Sequence, residues 1–153
     1  MKEIRWHARA GQGAKTASQL LAVALLHDGK SVQAFPEYGP ERRGAPLRAY
    51  TRYDDKPIRR HDAVETPDAV VVLEPSLLDD PSVRAGLKPG GLLLDTDTLH
   101  APRESANLFM VGALAAALGE PPLATLQDAA VSLLGKKLDA ETIRAAIAEG
   151  YAA

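Results

Sequence analysis

Apolar residues along the chain recur with two periods, one typical of strands and one typical of helices. Five segments have a strand pattern: 3–8, 31–35, 47–53, 69–73 and 92–94. The last two are apolar on both faces, as central strands of a parallel sheet are. Apolar residues at helical spacing occupy four further segments: 17–25, 111–118, 123–134 and 139–149. The helical pattern of the second of these already starts near residue 107.

Because strands alternate with helices, the order of segments predicts a three-layer α/β fold, Rossmann-like, with a largely parallel sheet. Gly29 is suited to the left-handed end of the first helix, and Asp139 is the expected N-cap of the last. No stretch has the composition of a linker, so we expect residues 1–153 to form a single domain.

The composition narrows the class of protein. The chain has 153 residues, of which 46% are hydrophobic and 25% charged, with a net charge of −2, so a globular core is expected and a nucleic-acid footprint is not. No apolar run approaches the ~20 residues of a membrane span, and the N-terminus has no apolar signal region. We therefore expect a soluble, cytoplasmic protein with neither a membrane nor a nucleic acid as partner.

Cysteine is absent from the sequence, which excludes disulfides, thiol catalysis and cysteine-held iron–sulfur clusters on this chain. The four histidines share no spacing typical of a metal site, and no nucleophile–base pair can be assembled. We therefore predict no catalytic residue, no metal ion and no cofactor bound by this chain alone.

The first candidate binding feature is the turn formed by Gly11, Gln12 and Gly13 between a strand and a helix. Free backbone N–H groups at a helix N-terminus favour an anion such as phosphate. Two named motifs fail here: Thr16 stands where the dinucleotide fingerprint has Gly or Ala, and Ala14 where a Walker A loop has Gly. A phosphate site and a tight turn without a ligand both remain open on the residues alone.

The second candidate is the proline-rich loop 36–46, which carries Arg42 and Arg43. Guanidinium groups suit phosphate or carboxylate, on a ligand or on a partner chain. The alternative is that both arginines pair internally with Glu37 and Glu41.

Two aromatic residues, Phe35 and Tyr38, lie beside the same loop. Aromatic residues and arginine are enriched at protein interfaces, so the loop is a candidate subunit contact. The alternative is that both rings fold back as a small satellite core.

Taken together, four landmarks in collinear order resemble the gamma subunit of the 2-oxoacid:ferredoxin oxidoreductases, the pyruvate:ferredoxin oxidoreductase family. They are the Gly-Gln-Gly turn at 11–13, the run 33–46 containing Gly-Pro-Glu-Arg-Arg-Gly-Ala, the strand 48–52 and the segment 107–114. The Gly-Pro-Glu-Arg-Arg-Gly-Ala stretch is far more specific than any short glycine motif.

The resemblance implies a subunit of an enzyme of anaerobic metabolism that oxidatively decarboxylates a 2-oxoacid to acyl-CoA and CO2. It implies alpha, beta and ferredoxin-like delta subunits as partners, which hold thiamine diphosphate, Mg and [4Fe–4S] clusters, and ferredoxin or another acceptor. This chain is then a non-catalytic domain for coenzyme A handling and assembly. Which 2-oxoacid is used, and whether ferredoxin or NAD is the final acceptor, stay open.

By the same resemblance, Gly11, Gln12, Gly13, Arg42 and Arg43 are the residues expected to contact the co-substrate coenzyme A. A free-standing Rossmann-like module that binds a phosphate or a nucleotide is the alternative interpretation.

Overall fold

A twisted sheet forms the middle of the protein, whose computed structural model describes residues 1–37 and 45–153. Within these ranges the strands are β1 (Lys2–Arg9), β2 (Ser31–Pro36), β3 (Pro46–Asp54), β4 (Ala69–Val72) and β5 (Leu92–Asp95). Their order across the sheet is β2-β3-β1-β4-β5. β1 pairs in parallel with β4, and β4 with β5, whereas β3 is antiparallel to both of its neighbours. Four strands therefore share one direction, which confirms the predicted α/β fold with a largely parallel sheet.

Helices cover the two faces of this sheet unequally. In the described residues they are α1 (Ala14–His27), α2 (Pro81–Arg84), α3 (Ala106–Leu118), α4 (Leu123–Leu134) and α5 (Ala140–Tyr151). α1, α3, α4 and α5 pack on one face and form the main apolar core with it. The single turn α2 and a 3-10 turn at Pro75–Asp79 lie on the other face, over a small cluster that includes Val70 and Val72.

The strand β1 shows how one sequence pattern serves both faces. Ile4, Trp6 and Ala8 are fully buried in the main core. The indole N–H of Trp6 donates to Thr51 Oγ1 over 3.0 Å, and that hydroxyl donates to the carbonyl of Ser18 on α1 over 2.9 Å. The sheet and the first helix are thus joined by hydrogen bonds inside an otherwise apolar layer, where a satisfied polar group is stabilising.

The second face, which we call the polar face, carries Glu3, Arg5 and His7 of β1 beside Arg48 and Arg52 of β3. Successive side chains of a strand alternate between faces, so these residues share a side because they lie two apart. Directly opposite partners are Glu3 with Arg52 and His7 with Arg48. Arg52 Nε lies 2.9 Å from Glu3 Oε2, and the Arg52 side chain is 0% exposed. The polar face is therefore a buried ionic layer rather than a solvated surface.

The helices α3 and α5 approach each other closely through two glycines. A Cβ atom on Gly150 would overlap the backbone carbonyl of Phe109, and one on Gly112 would overlap that of Ile147. The backbones are in direct contact there, and no side chain larger than hydrogen fits.

Several local predictions are confirmed. Gly29, which follows the C-cap Asp28 of α1, has φ of +89°. The Asp139 side chain accepts the N–H of Thr142 over 3.2 Å at the start of α5. The short helix α2 was not predicted, because four residues carry too little periodicity to identify. No helix in the described part of the chain is both long and apolar enough to cross a membrane.

Candidate functional site

A cavity of about 580 Å³ opens at the carboxyl ends of β1, β4 and β5. Its walls are the turn at residues 11–13, Glu74 after β4, Thr96 and Asp97 after β5, and the start of α3 with Asn107. This is the edge of the sheet at which α/β proteins bind ligands. The volume lies within the range of ~300–1,000 Å³ usual for small-molecule sites.

Glycine is required at the turn. Gly11 and Gly13 have φ of +94° and +85°, in the left-handed region. Gly13 is the N-cap of α1, and no side chain of residues 1–37 or 45–153 is recorded as capping this helix end. A Cβ at Gly13 would stand 2.5 Å from Asn107 Nδ2, so the beginnings of α1 and α3 meet here. The first N–H groups of α1 lack partners within the helix and create a positive potential in the cavity.

Gln12 fixes the shape of this turn. Its Oε1 accepts the backbone N–H of Arg9 over 2.7 Å, and its Nε2 donates to Glu74 Oε2 over 2.8 Å. Glu74 also accepts the Ser76 hydroxyl over 3.0 Å. The hydrogen bonds from Gln12 and then Ser76 lower the pKa of Glu74, so its carboxylate stays ionised.

The described lining of the cavity is acidic. Glu74, Asp97 and Glu104 contribute carboxylates and Arg103 one guanidinium. Carboxylates accept hydrogen bonds from hydroxyl, amide or ammonium groups, whereas the α1 N-terminus attracts an anion. A ligand with both kinds of group fits this lining better than a bare phosphate does.

The structure brings Gly11, Gln12 and Gly13 together at the cavity, while Arg42 and Arg43 lie outside the described residues. Tyr38 also lies outside them, whereas Phe35 is half-buried with its ring centroid 5.1 Å from that of Tyr50. Among the described residues, no group of three or more His, Asp or Glu is placed to hold a metal ion.

Sequence reasoning missed Glu74, Asp97 and Asn107 as lining residues. The signal was present for the first two, because Glu74 directly follows the predicted buried strand 69–73 and Asp97 comes three residues after the predicted strand 92–94. The carboxyl ends of such strands share one edge of a sheet. Asp95, by contrast, accepts the backbone N–H and the hydroxyl of Thr98, each over 2.8 Å. It stabilises a turn and does not line the cavity.

Comparison with known proteins places this architecture in a family. The family model described as pyruvate ferredoxin/flavodoxin oxidoreductase matches residues 3–106. The pyruvate synthase subunit PorC of Thermotoga maritima is 42% identical, over 97% of this chain and 92% of that protein. The pyruvate/ketoisovalerate oxidoreductases common subunit gamma of Thermococcus kodakarensis is 60% identical over 94 residues, 61% of this chain. The matched region is 51% of that protein, so the chain aligns with about half of its length.

Solved structures agree. The crystal structure of the Thermotoga maritima pyruvate oxidoreductase subunit PORC superposes with a TM-score of 0.81 at 36% identity, covering 98% of this chain and 94% of that one. The 2-oxoglutarate:ferredoxin oxidoreductase of Magnetococcus marinus, at 17% identity and a TM-score of 0.73, shares the fold over 30% of its chain. The chain therefore belongs to the gamma (PorC) subunit family of the pyruvate and 2-oxoacid:ferredoxin oxidoreductases.

Proposed function

We propose that this chain is the non-catalytic gamma subunit of a complex that oxidatively decarboxylates a 2-oxoacid to acyl-CoA and CO2. The observation that carries the proposal is the near-complete overlap with the Thermotoga maritima PorC subunit, over 97% of this chain and 92% of that protein. Alpha, beta and ferredoxin-like delta subunits are the proposed partners. They supply thiamine diphosphate, Mg and [4Fe–4S] clusters. This chain has no cysteine, so it cannot ligate an iron–sulfur cluster through thiolates.

Within that complex, we propose that the cavity at the turn 11–13 contacts coenzyme A. The N-terminus of α1, at Gly13, attracts a phosphate, and the carboxylates of Glu74 and Asp97 accept hydrogen bonds from ribose hydroxyl or pantetheine amide groups. Because the described lining is acidic, a phosphate needs further cations nearby. Arg42 and Arg43 are the proposed source, by the sequence resemblance given above.

Two further features belong to the proposal. Residues 1–153 form one domain, since the apolar clusters on the two faces share the strand β4 through Val71 on one side and Val70 on the other. The complex works in the cytoplasm, where its 2-oxoacid substrates and coenzyme A are found together.

The experiment is co-expression of this chain with the products of neighbouring reading frames, followed by purification through a tag on this chain. We expect a complex that reduces an acceptor in the presence of a 2-oxoacid, with a panel of 2-oxoacids identifying the substrate. The chain alone is expected to show neither activity nor iron–sulfur absorbance. A chain that purifies alone and binds a nucleotide with high affinity would instead support the free-standing module.

The role in coenzyme A binding is tested in the same complex. Arg42→Ala with Arg43→Ala should raise the KM for coenzyme A, because each lost charge-assisted contact costs about 1.5–3 kcal/mol. Reduction of the thiamine centre by the 2-oxoacid should persist. Arg144→Ala on α5, which removes an exposed pair with Asp128, is the matched control. An unchanged KM in an assembled complex would contradict the role, and failure to assemble would assign the loop to the subunit interface.

A further inference from the structure

A second cavity, of about 280 Å³, lies on the polar face of the sheet, on the side away from the main helices. His7 of β1 and Arg48 of β3 form its floor together with Ser82 of α2, and Glu37 and Asp80 stand at its exposed mouth. None of these residues lines the larger cavity at the turn 11–13. The second cavity is thus a separate site.

His7 has a ring N–H that donates to no other group among the described residues. The residue is 2% exposed, and its Nε2 accepts a hydrogen bond from Arg5 Nε over 2.9 Å. The ring hydrogen therefore sits on Nδ1, which makes no hydrogen bond within the described residues. Among the described residues, every fully buried side-chain nitrogen or oxygen has a hydrogen-bond partner. Nδ1 has none and is therefore not fully buried, so its N–H opens onto the cavity that His7 lines. Burial, followed by the charges of Arg5 and Arg48, lowers the pKa of His7 to about 3, so the ring remains neutral.

The two arginines beside His7 differ in what they leave free. Arg5 Nη2 donates to the carbonyl oxygens of Val83 and Ala85, over 3.0 and 2.6 Å. The Arg5 guanidinium is thus engaged by the backbone of the segment that covers it. Arg48 is half-buried and donates to Ser82 Oγ over 2.9 Å. Arg48 also interacts with the Tyr50 hydroxyl through a side-chain hydrogen bond. No carboxylate of the described residues lies within 4.0 Å of the Arg48 guanidinium, so no ion pair among them neutralises its charge.

Position and charge define the ligand. His7 and Arg48 are directly opposite on antiparallel strands, which brings their side chains within ~5 Å at Cβ and allows both to donate to one planar group. A guanidinium fork is suited to the two oxygens of a carboxylate. Glu37 and Asp80 at the mouth repel a dianion more than a monoanion.

We propose that this second cavity binds a small monoanionic carboxylate between His7 and Arg48. The proposal does not depend on the function proposed above, because every residue it uses lies on this chain.

The test uses the full-length chain labelled with 15N and follows the histidine ring signals near neutral pH. Acetate, pyruvate and inorganic phosphate are titrated at constant ionic strength. We expect a saturable shift of the His7 signals with acetate and pyruvate, at lower concentrations than with phosphate. Arg48→Gln should raise the Kd for acetate about tenfold or more, the effect of losing a charge-assisted hydrogen bond. Arg144→Gln, which alters an exposed guanidinium far from the cavity, should leave it unchanged.

Three results would overturn the proposal: no saturable shift with either carboxylate, an equal response in Arg48→Gln, or phosphate binding at least as tightly as acetate. If Arg48→Gln does not fold, acetate binding to the Glu37→Gln variant tests the proposal instead. Removing this negative charge at the mouth should tighten acetate binding severalfold, and unchanged or weaker binding would contradict the model.

The source of the carboxylate is settled by repeating the pyruvate titration with the chain in its assembled complex. A retained shift supports a free ligand. A shift that disappears on assembly would assign the cavity to a carboxylate side chain of a partner subunit and overturn the free-ligand proposal.

Discussion

The side-chain amide of Gln12 lies 2.8 Å from the carboxylate of Glu74 and ties the turn after β1 to the chain that leaves β4. The same amide accepts the Arg9 N–H, so one side chain joins two adjacent strand ends. The shape of the candidate coenzyme A site therefore depends on a residue whose polar atoms are already engaged. Gln12 thus holds the turn in place through these two hydrogen bonds.

Gln12→Met, which keeps the size of the side chain and removes both hydrogen bonds, is expected to lower the free energy of unfolding by about 1.5–3 kcal/mol. The pKa of Glu74 should rise, because the Gln12 hydrogen bond is the largest cause of its lowering. Urea denaturation and carboxyl 13C titration measure the two effects. Gln127→Met is the control, since it removes a hydrogen bond to the Arg144 carbonyl far from the cavity. An unchanged Glu74 pKa would contradict this account.

The two glycines of the turn should respond differently to a methyl group. Gly11→Ala meets no atom within 4 Å and carries only the strain of positive φ, about 1 kcal/mol, whereas Gly13→Ala also meets the Asn107 side chain. We expect Gly13→Ala to cost about 1–2 kcal/mol more than Gly11→Ala. Combining Gly13→Ala with Asn107→Ala should recover most of that difference in thermal unfolding. Equal costs for the two single variants would show that α1 and α3 are not in contact at this point.

The buried His7 predicts a loss of stability on mild acidification. The pKa of His7 is about 3 in the folded state, against ~6.5 in the unfolded chain. Below about pH 6.5 the unfolded state therefore binds a proton at His7 that the folded state does not bind. The free energy of unfolding should fall by up to about 1.4 kcal/mol per pH unit, or about 2 kcal/mol by pH 5. Urea denaturation between about pH 7.5 and about pH 5 measures it.

His7→Gln should flatten this pH dependence, whereas the exposed His27→Gln should leave the slope as in the unsubstituted protein. A stability that stays level between those pH values, or equal slopes in the two variants, would show that His7 is not a buried neutral ring.

The Glu3–Arg52 pair should be sensitive to the loss of one partner only. Arg52→Met leaves the Glu3 carboxylate, in a residue 4% exposed, without its cation, and is expected to cost about 3–5 kcal/mol. Adding Glu3→Leu to Arg52→Met should restore part of this loss, because neither charge is then buried. Arg144→Met, in an exposed pair with Asp128, should cost less than about 1 kcal/mol. A double variant less stable than Arg52→Met would contradict the expected coupling.

The elements of the fold could be predicted from the sequence because apolar residues repeat with the period of the secondary structure. The direction of β3 was not predicted, since a strand pattern is the same read either way. The length of the connection between β2 and β3 does indicate their relative direction. Residues 37–45 are too few for a crossover between parallel strands, which needs about a dozen residues, so an antiparallel pairing is expected.

The candidate site was only partly predictable. Gly11 and Gly13 could be identified because a strand–glycine–helix order is a local pattern. Asn107 is brought to the turn by packing of α3 against α1, which no local pattern records. The second cavity likewise brings His7 together with Arg48 and Ser82, which are remote in sequence. Roles that arise from contacts between distant segments need the tertiary structure.

The polar face also restricts how β3 can be aligned during folding. If the pairing of β3 with β1 shifted by one residue, the Arg48 and Arg52 side chains would face the apolar core. If it shifted by two residues, Arg52 would no longer lie opposite Glu3. Each misaligned pairing leaves a guanidinium in a dry environment without its carboxylate, which costs several kcal/mol. The ionic layer therefore selects the register of β3 against β1: only the observed alignment places Arg52 opposite Glu3, and each misaligned pairing is less stable by the cost of an unpaired buried charge.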